Sequence, residues 1–219
     1  MVTNTEENYL KAIYHLSLNR NGKGLGTNEL AGLLNIAPAT VSSMLKKLRK
    51  KKLISHEKYG EISLNSTGED IAISVIRKHR LWETFLYRKM DFTWDEIHEV
   101  AEQLEHIQSK KLIDQLDKLL DYPEYDPHGD PIPSANGNIV ETYKQTLASA
   151  ELNKQYKIVA VKDNSPAFLK YATEIGIAIK IGILVKTKYD FDESLEIEID
   201  GIAKTISHKI AENIYIENC

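Results

Sequence analysis

TNELAGLLNIAPATVSSMLKKLRKKK, residues 27–52, is the stretch that decides the fold. Thr27 is placed to cap TNELAGLLN, a short helix that sets Leu30, Leu33 and Leu34 on one face. IAP breaks it, and Pro38, a residue favoured in a first helical turn, opens a longer helix. The pattern is two helices joined by a tight turn. The second sends Val41, Leu45 and Leu48 inward and leaves Ala39, Thr40, Ser42, Ser43, Lys46, Lys47 and Lys50 outside.

Upstream, Tyr9, Leu10, Ile13, Tyr14 and Leu16 recur at helical spacing, and Asn4 with Glu7 three residues on has the capping-box pattern. A helix is therefore expected from about residue 5, ended by NRNGKGLG. Downstream, LISHEKYGEISLN alternates, turns at Tyr59-Gly60 and alternates again, the signature of a two-stranded hairpin. Helix, helix-turn-helix, hairpin is the order of a winged helix-turn-helix domain, expected over residues 1–66.

Residues 67–137 read as a helical domain. One helix runs through IAISVIRKHRLWETFLYRKM, one is opened by Thr93 with Glu96 as a capping box, and one runs through KKLIDQLDKLL. Between Tyr122 and Gly137 lie four of the six prolines and two glycines, which predicts an extended strap. From about Glu151 the pattern turns to strands (YKIVAVKD, IAIKIGILVKTK, LEIEID, NIYIE) with one short helix after NSP, so residues 138–219 read as a linker and a small β barrel or sandwich. The expected fold class is mainly α with a β-rich C-terminal domain.

Composition narrows the function. The 219 residues carry a net charge of −4 and a single cysteine, Cys219, which excludes an intrachain disulfide framework and a cysteine-based zinc site. The longest apolar run, Ile175–Val185, is interrupted by Lys180 and is too short to span a bilayer. The N-terminus lacks a signal-peptide apolar region. A cytoplasmic protein with no membrane partner is expected. Residues 27–60 hold seven Lys/Arg against two acids, whereas residues 91–130 hold twelve Asp/Glu against three Lys, so a basic module precedes an acidic one.

A helix that reads DNA presents short side chains to base edges near its N-terminus and cations to the phosphates around it. PATVSSMLKKLRKKK does so in order. Pro38, Ala39 and Ser43 let the helix sit deep, Thr40 and Ser42 can bond phosphates, and Lys46, Lys47 and Lys50 can neutralise others; Thr27 completes the candidate DNA face. Without Arg, Asn or Gln at the tip, part of the specificity is expected from DNA shape. The bland alternative is a lysine-rich, solvated helix end.

HEVAEQLEHIQS, residues 98–109, packs two histidines and three glutamates into nine residues. At 100° per residue His98, Glu102, Glu105 and His106 share one helix face, a costly crowding of like charges unless a cation sits on it. A lysine or a divalent metal would serve. His79 and Glu83 form another i, i+4 pair on the preceding helix, and packing the two helices would pool these groups. Without cysteine, such donors suit Mn²⁺ or Fe²⁺ on ligand hardness. HEVAE lacks the second histidine of the zinc-protease motif, and no phosphate loop or nucleophile elbow occurs, so no enzyme is expected.

EENYLKAIYHL, PATVSSMLKKL, RKHRLWETFL, HEVAEQLEH and DPHGDPIP, in that order, resemble the metal-dependent repressors of the diphtheria toxin repressor and manganese transport regulator family over about residues 4–135. The last 65 or so residues resemble its SH3-like C-terminal domain more loosely. The resemblance implies a homodimeric transcriptional repressor that binds double-stranded operator DNA when loaded with metal, its helical domain serving metal binding and dimerisation. It implies an activating site of Asn8, Glu102, Glu105 and His106, and an ancillary site of His79, Glu83 and His98. In longer manganese-type members Asp126 and His128 of the strap join the latter, with Asp163 as the candidate acid from the C-terminal domain. Asn8 stands where the family usually has Asp or Met. Lys11 takes the place of a second carboxylate of the manganese-only type, which argues against a closely spaced metal pair. Glu102, where iron-type members have Cys, favours Mn²⁺ over Fe²⁺. Two other readings are a metal-binding enzyme or carrier whose winged helix makes protein contacts, and a DNA-binding regulator with a purely structural metal.

Overall fold

A computed structural model of the chain describes residues 2–18, 25–56, 61–140 and 145–219. They divide between two compact units: residues 1–79, 104–108 and 133–138 form the first, and residues 80–103, 109–132 and 139–219 the second.

The first unit contains α1 (Asn4–Leu18), α2 (Thr27–Leu33), α3 (Pro38–Lys50), the hairpin β1 (Ile54–His56) and β2 (Ile62–Leu64), and the opening of the long helix α4 (Ser66–Lys89). The strands pair antiparallel with Ile54 opposite Leu64, and Leu25 bridges Ile62 on the other side. The Tyr59-Gly60 turn and most of the segment expected to end helix one lie outside the described residues. Val41, Leu45 and Leu48 are buried completely with Leu10, Ile13 and Leu30, each contributing roughly 1.5–3 kcal/mol of apolar burial. Pro38 stands at the start of α3 as expected.

Three local expectations are corrected here. The N-terminal capping box is Thr3 with Glu6, not Asn4 with Glu7: the Thr3 amide donates to Glu6 Oε2 at 2.8 Å and the Glu6 amide to Thr3 Oγ1 at 3.3 Å. That one-residue shift releases Glu7 for another task. Gly26, not Thr27, caps α2, and as a glycine it offers no side-chain capping bond. Leu33, expected on the inner face, is 53% exposed.

The second unit holds the rest of α4, nearly all of α5 (Ile97–Leu104), α6 (Lys110–Leu119) and a β-rich remainder. After a 3₁₀ turn at Leu147–Ser149 come β3 (Lys154–Val161), α7 (Pro166–Glu174), β4 (Gly182–Lys188), β5 (Leu195–Ile199), β6 (Ile202–Ile206), α8 (His208–Ala211) and β7 (Ile214–Asn218). The strands form one antiparallel SH3-like sheet in the order β6-β5-β4-β3-β7. The strand expected from Ile177 begins only at Gly182, because Gly176 and Lys180 take positive φ and turn the chain. Conversely, Asp200 and Gly201, both at positive φ, make a tight hairpin turn into β6, which the alternation had not indicated. Among the described residues no helix is long and apolar enough to cross a membrane.

One correction bears on function. The helix expected to carry residues 98–106 on a single face ends at Leu104. Glu105 and His106 follow it in a turn and belong to the first unit, while His98 and Glu102 stay in the second.

Candidate metal centres and nucleic-acid interface

On the candidate DNA face, Pro38, Ala39, Thr40, Ser43, Lys46, Lys47 and Lys50 are exposed, and Ser42 and Thr27 are partly so. Lys47, Arg49 and Lys50 fill the last turn of α3 with no acid in its first. The three buried residues of α3 fix its orientation, so the opposite side presents small polar groups first and cations after, as phosphate and groove contacts require.

In the first unit the acidic groups converge from three segments. α1 supplies Glu7 and Lys11 one turn apart, α4 supplies Lys78 and His79, and the turn after α5 supplies Glu105 and His106. Glu105 is fully buried. Lys11 Nζ donates to both its oxygens, at 2.7 and 2.8 Å, and His79 Nδ1 lies 2.6 Å from Oε2. His106 Nδ1 lies 2.6 Å from Glu7 Oε2, and the Gln108 amide donates to Glu7 Oε1 at 2.8 Å. Burial pushes the Lys78 ammonium below the usual lysine range, against the pull of Glu7 and Glu105. Asn8 Oδ1 is buried without a hydrogen-bond partner, an acceptor free to meet a cation.

In the second unit Glu83, Asp126 and His128 are all buried, and one donor atom from each lies within 4.8 Å of the others. His98 Nδ1 reaches Glu83 Oε1 at 3.1 Å, and Glu102, one turn on, lies 3.7 Å from His98 Nε2. The strap is shaped by its own side chain: Asp126 Oδ1 accepts the amides of His128 and Asp130 at 2.8 and 3.0 Å. His128 Nε2 meets the Trp94 carbonyl at 3.2 Å. A carbonyl only accepts, so Nε2 carries the hydrogen and Nδ1 presents a lone pair, 3.8 Å from Glu83 Oε1. That arrangement is how proteins orient a metal-ligating histidine. Burial holds the His128 ring below the ordinary imidazole range, and burial with Asp130 and Glu83 nearby holds Asp126 well above the usual carboxylate range, opposed by Arg80. His128 Nδ1 and Asp126 Oδ2 are buried and make no hydrogen bond. Two carboxylates, an imidazole lone pair and a second imidazole at the rim fit a Mn²⁺ or Fe²⁺ ion.

Of the residues singled out by sequence, Glu105, His106 and His79 thus meet in the first unit, and Glu83, His98, Glu102, Asp126 and His128 in the second. Asp163 Oδ1 accepts the Ser165 amide at 2.8 Å ahead of α7. Glu7 was missed, read as a cap; the Thr3-to-Glu6 spacing was the signal that frees it. Trp94 and Arg80, whose backbone carbonyl and guanidinium serve the strap, were not singled out: Trp94 lies outside the quoted motifs, and RKHRLWETFL contains Arg80 without marking it for a role.

Three family models match the chain: an iron-dependent repressor N-terminal DNA-binding domain over residues 1–62, the metal-binding and dimerisation domain of the same repressors over residues 65–134, and a FeoA domain over residues 145–218. The iron-dependent repressor IdeR of Mycobacterium leprae is 32% identical over 165 residues, 75% of this chain and 69% of the relative. The chain spans less than two thirds of several other curated relatives it matches, and 19% of one. Among solved structures, a manganese-dependent transcriptional repressor in complex with manganese is 29% identical with a TM-score of 0.86, over 98% of this chain and 100% of that one. The manganese regulator SloR is 35% identical with a TM-score of 0.78, over 98% of each chain. With the DNA-binding, metal-binding and FeoA domain models each matched in order, the chain belongs to the diphtheria toxin repressor and manganese transport regulator family of metal-dependent repressors.

Proposed function

We propose that this chain is a metal-activated transcriptional repressor, working in the cytoplasm as a homodimer on double-stranded operator DNA to control genes of metal homeostasis. It is not a catalyst. The observation that carries the reading is the buried set Glu83, Asp126 and His128, whose donor atoms lie within 4.8 Å of one another, with Asp126 Oδ2 and His128 Nδ1 making no hydrogen bond, in a chain whose α3 also presents an exposed cationic face.

His98, Glu83, Asp126 and His128 would hold one ion, with Glu102 beside His98. Asn8, Glu105 and His106 would hold another. A bound divalent ion supplies positive charge that lets buried carboxylates stay ionised and close together. The protein's own groups do the rest: Trp94 orients His128, and the Asp126 side chain folds the strap onto its amides. Hard oxygen donors and the absence of a cysteine among them favour Mn²⁺, with Fe²⁺ as the alternative; the likeness to manganese-dependent repressors supports this order. For dimerisation, Tyr87, Met90, Leu112, Leu119 and Tyr122 on and beside α4 and α6 are exposed apolar groups that a second copy would cover.

The deciding measurement is operator affinity with Mn²⁺, with Fe²⁺ and with chelator. Tighter binding with metal is expected, and by linkage the operator tightens metal binding by the same factor. Equal affinity in all three conditions would overturn metal activation.

A further inference from the structure

The two donor clusters differ in how their charge is balanced. Among the described residues around Glu83 and Asp126, the carboxylates outnumber the cations: Asp130 lies close by, and Arg80 Nε stands 3.7 Å from Asp126. The cluster around Glu105 is already neutral in formal charge, because Glu7 and Glu105 face Lys11 and Lys78. Lys11 does more than sit nearby. Its ammonium grips both oxygens of a carboxylate with no solvent exposure, while its own side chain is 13% exposed. A charge-assisted contact of that kind at a buried anion is among the strong ones. An ion approaching Glu105 therefore meets a cation already in place, tethered to α1.

We propose that Lys11 is a built-in competitor for the metal, holding Glu105 until the ion concentration is high enough to displace it, so that the two clusters load at different thresholds. The cluster of Glu83, Asp126 and His128 fills first. The cluster of Glu105 and His106 fills second, and only as the Lys11 ammonium swings off Glu105 toward solvent, a route its partial exposure leaves open. The inference rests on the reading above that Glu105 and His106 ligate metal. Its consequence is a graded sensor: one ion completes the strap, and the second registers excess.

The test is Mn²⁺ titration of the full chain by calorimetry, paired with thermal unfolding in chelator and in saturating Mn²⁺. The wild-type chain should bind in a tight and a weak step. Lys11→Gln should strengthen the weak step about ten- to hundredfold, the weight of one charge-assisted hydrogen bond, and leave the tight step unchanged. Its melting temperature should fall in chelator and recover in Mn²⁺. Two indistinguishable steps in the wild type, a weak step unmoved by Lys11→Gln, or a melting deficit that persists in Mn²⁺ would each overturn the proposal, the last marking Lys11 as a merely structural ion pair. If Lys11→Gln fails to fold without metal, Lys11→Arg keeps the charge and grips both oxygens as well, so it should weaken the second step further; no change there also overturns the proposal. His106→Ala separates the two ideas. Loss of the weak step in His106→Ala with no response to Lys11→Gln defeats the competitor alone, whereas a weak step surviving both substitutions defeats the ligand assignment beneath it.

Discussion

His128 donates its Nε2 hydrogen to the backbone carbonyl of Trp94 at 3.2 Å, while the Trp94 indole donates in return to the Pro127 carbonyl at 3.0 Å and its ring lies 5.5 Å from the imidazole. The two residues clamp the strap from both sides. One hydrogen bond fixes which nitrogen of His128 faces Glu83, and the other anchors the residue before it.

Trp94→Phe tests the clamp without touching any residue proposed to hold the metal. The ring contact and the Trp94 carbonyl persist, but Pro127 loses its partner and the strap its stop. Second-sphere losses of this kind typically cost about 10- to 100-fold in metal affinity. The tight Mn²⁺ step should weaken toward the lower end of that range with little change in helical content. Unchanged affinity would show that the strap holds His128 without Trp94.

The pairing of Glu6 with Lys51, at 2.8 Å, connects the start of α1 to the residue after α3. Burial would raise the Glu6 carboxyl, but Lys51 and Thr3 outweigh it and hold the group below the usual glutamate range. A depressed folded-state pKa gives stability that is complete above the unfolded value and is lost as pH falls through the folded one. Because Lys51 is 40% exposed, the pair contributes no more than ~1 kcal/mol. Glu6→Gln should therefore unfold more readily than the wild type at pH 7, and the gap should close in acid below the glutamate range. A gap independent of pH in urea titrations would show that the ionised Glu6 carboxylate is not what stabilises the fold.

How far these relationships could be read from sequence depends on their range. The inward triplet Val41, Leu45 and Leu48 and the start at Pro38 follow from periodicity and local sterics, so the recognition helix was legible. The capping register was ambiguous because Thr3-to-Glu6 and Asn4-to-Glu7 satisfy the same spacing. β6 was hidden because only Ile206 of its five residues is buried, leaving no alternation to detect behind the Asp200-Gly201 turn. The crowded stretch at residues 98–106 revealed its ligand-like chemistry but not its division, since a helix that stops at Leu104 redirects Glu105 to a lysine 94 residues away. Periodicity carries no information about that partner.

Gly129 is the point where the strap meets the sheet of the second unit. Its φ is +87°, and a Cβ there would stand 2.1 Å from the Val159 carbonyl oxygen and 2.6 Å from the Ala160 Cα. The Val161 amide donates to the His128 carbonyl at 3.0 Å beside it. Gly129→Ala must move backbone on one side or the other while holding a left-handed conformation, a combination that costs roughly 1–3 kcal/mol or more. Denaturant unfolding should show that loss, and Mn²⁺ should bind the strap donors less tightly. Wild-type stability would mean that the strap can part from β3 freely.

The cations of α3 give the most direct reading of the DNA face. Lys46 and Lys47 are exposed on the side opposite Val41, Leu45 and Leu48, so their reversal leaves the core intact. Each phosphate they neutralise releases counterions, and each lost contact reduces the slope of log affinity against log salt by roughly one. Lys46→Glu with Lys47→Glu should therefore weaken operator binding in the presence of Mn²⁺ and flatten the salt slope by about two. Both effects should apply alike to operator and unrelated duplex, because phosphate contacts carry no sequence information. Ser43→Ala offers the contrast, a small change on the exposed side of α3 that should alter the preference among sequences while leaving the slope as it was. If the double lysine variant keeps the wild-type slope, the phosphates are met by another surface and α3 does not lie in the groove.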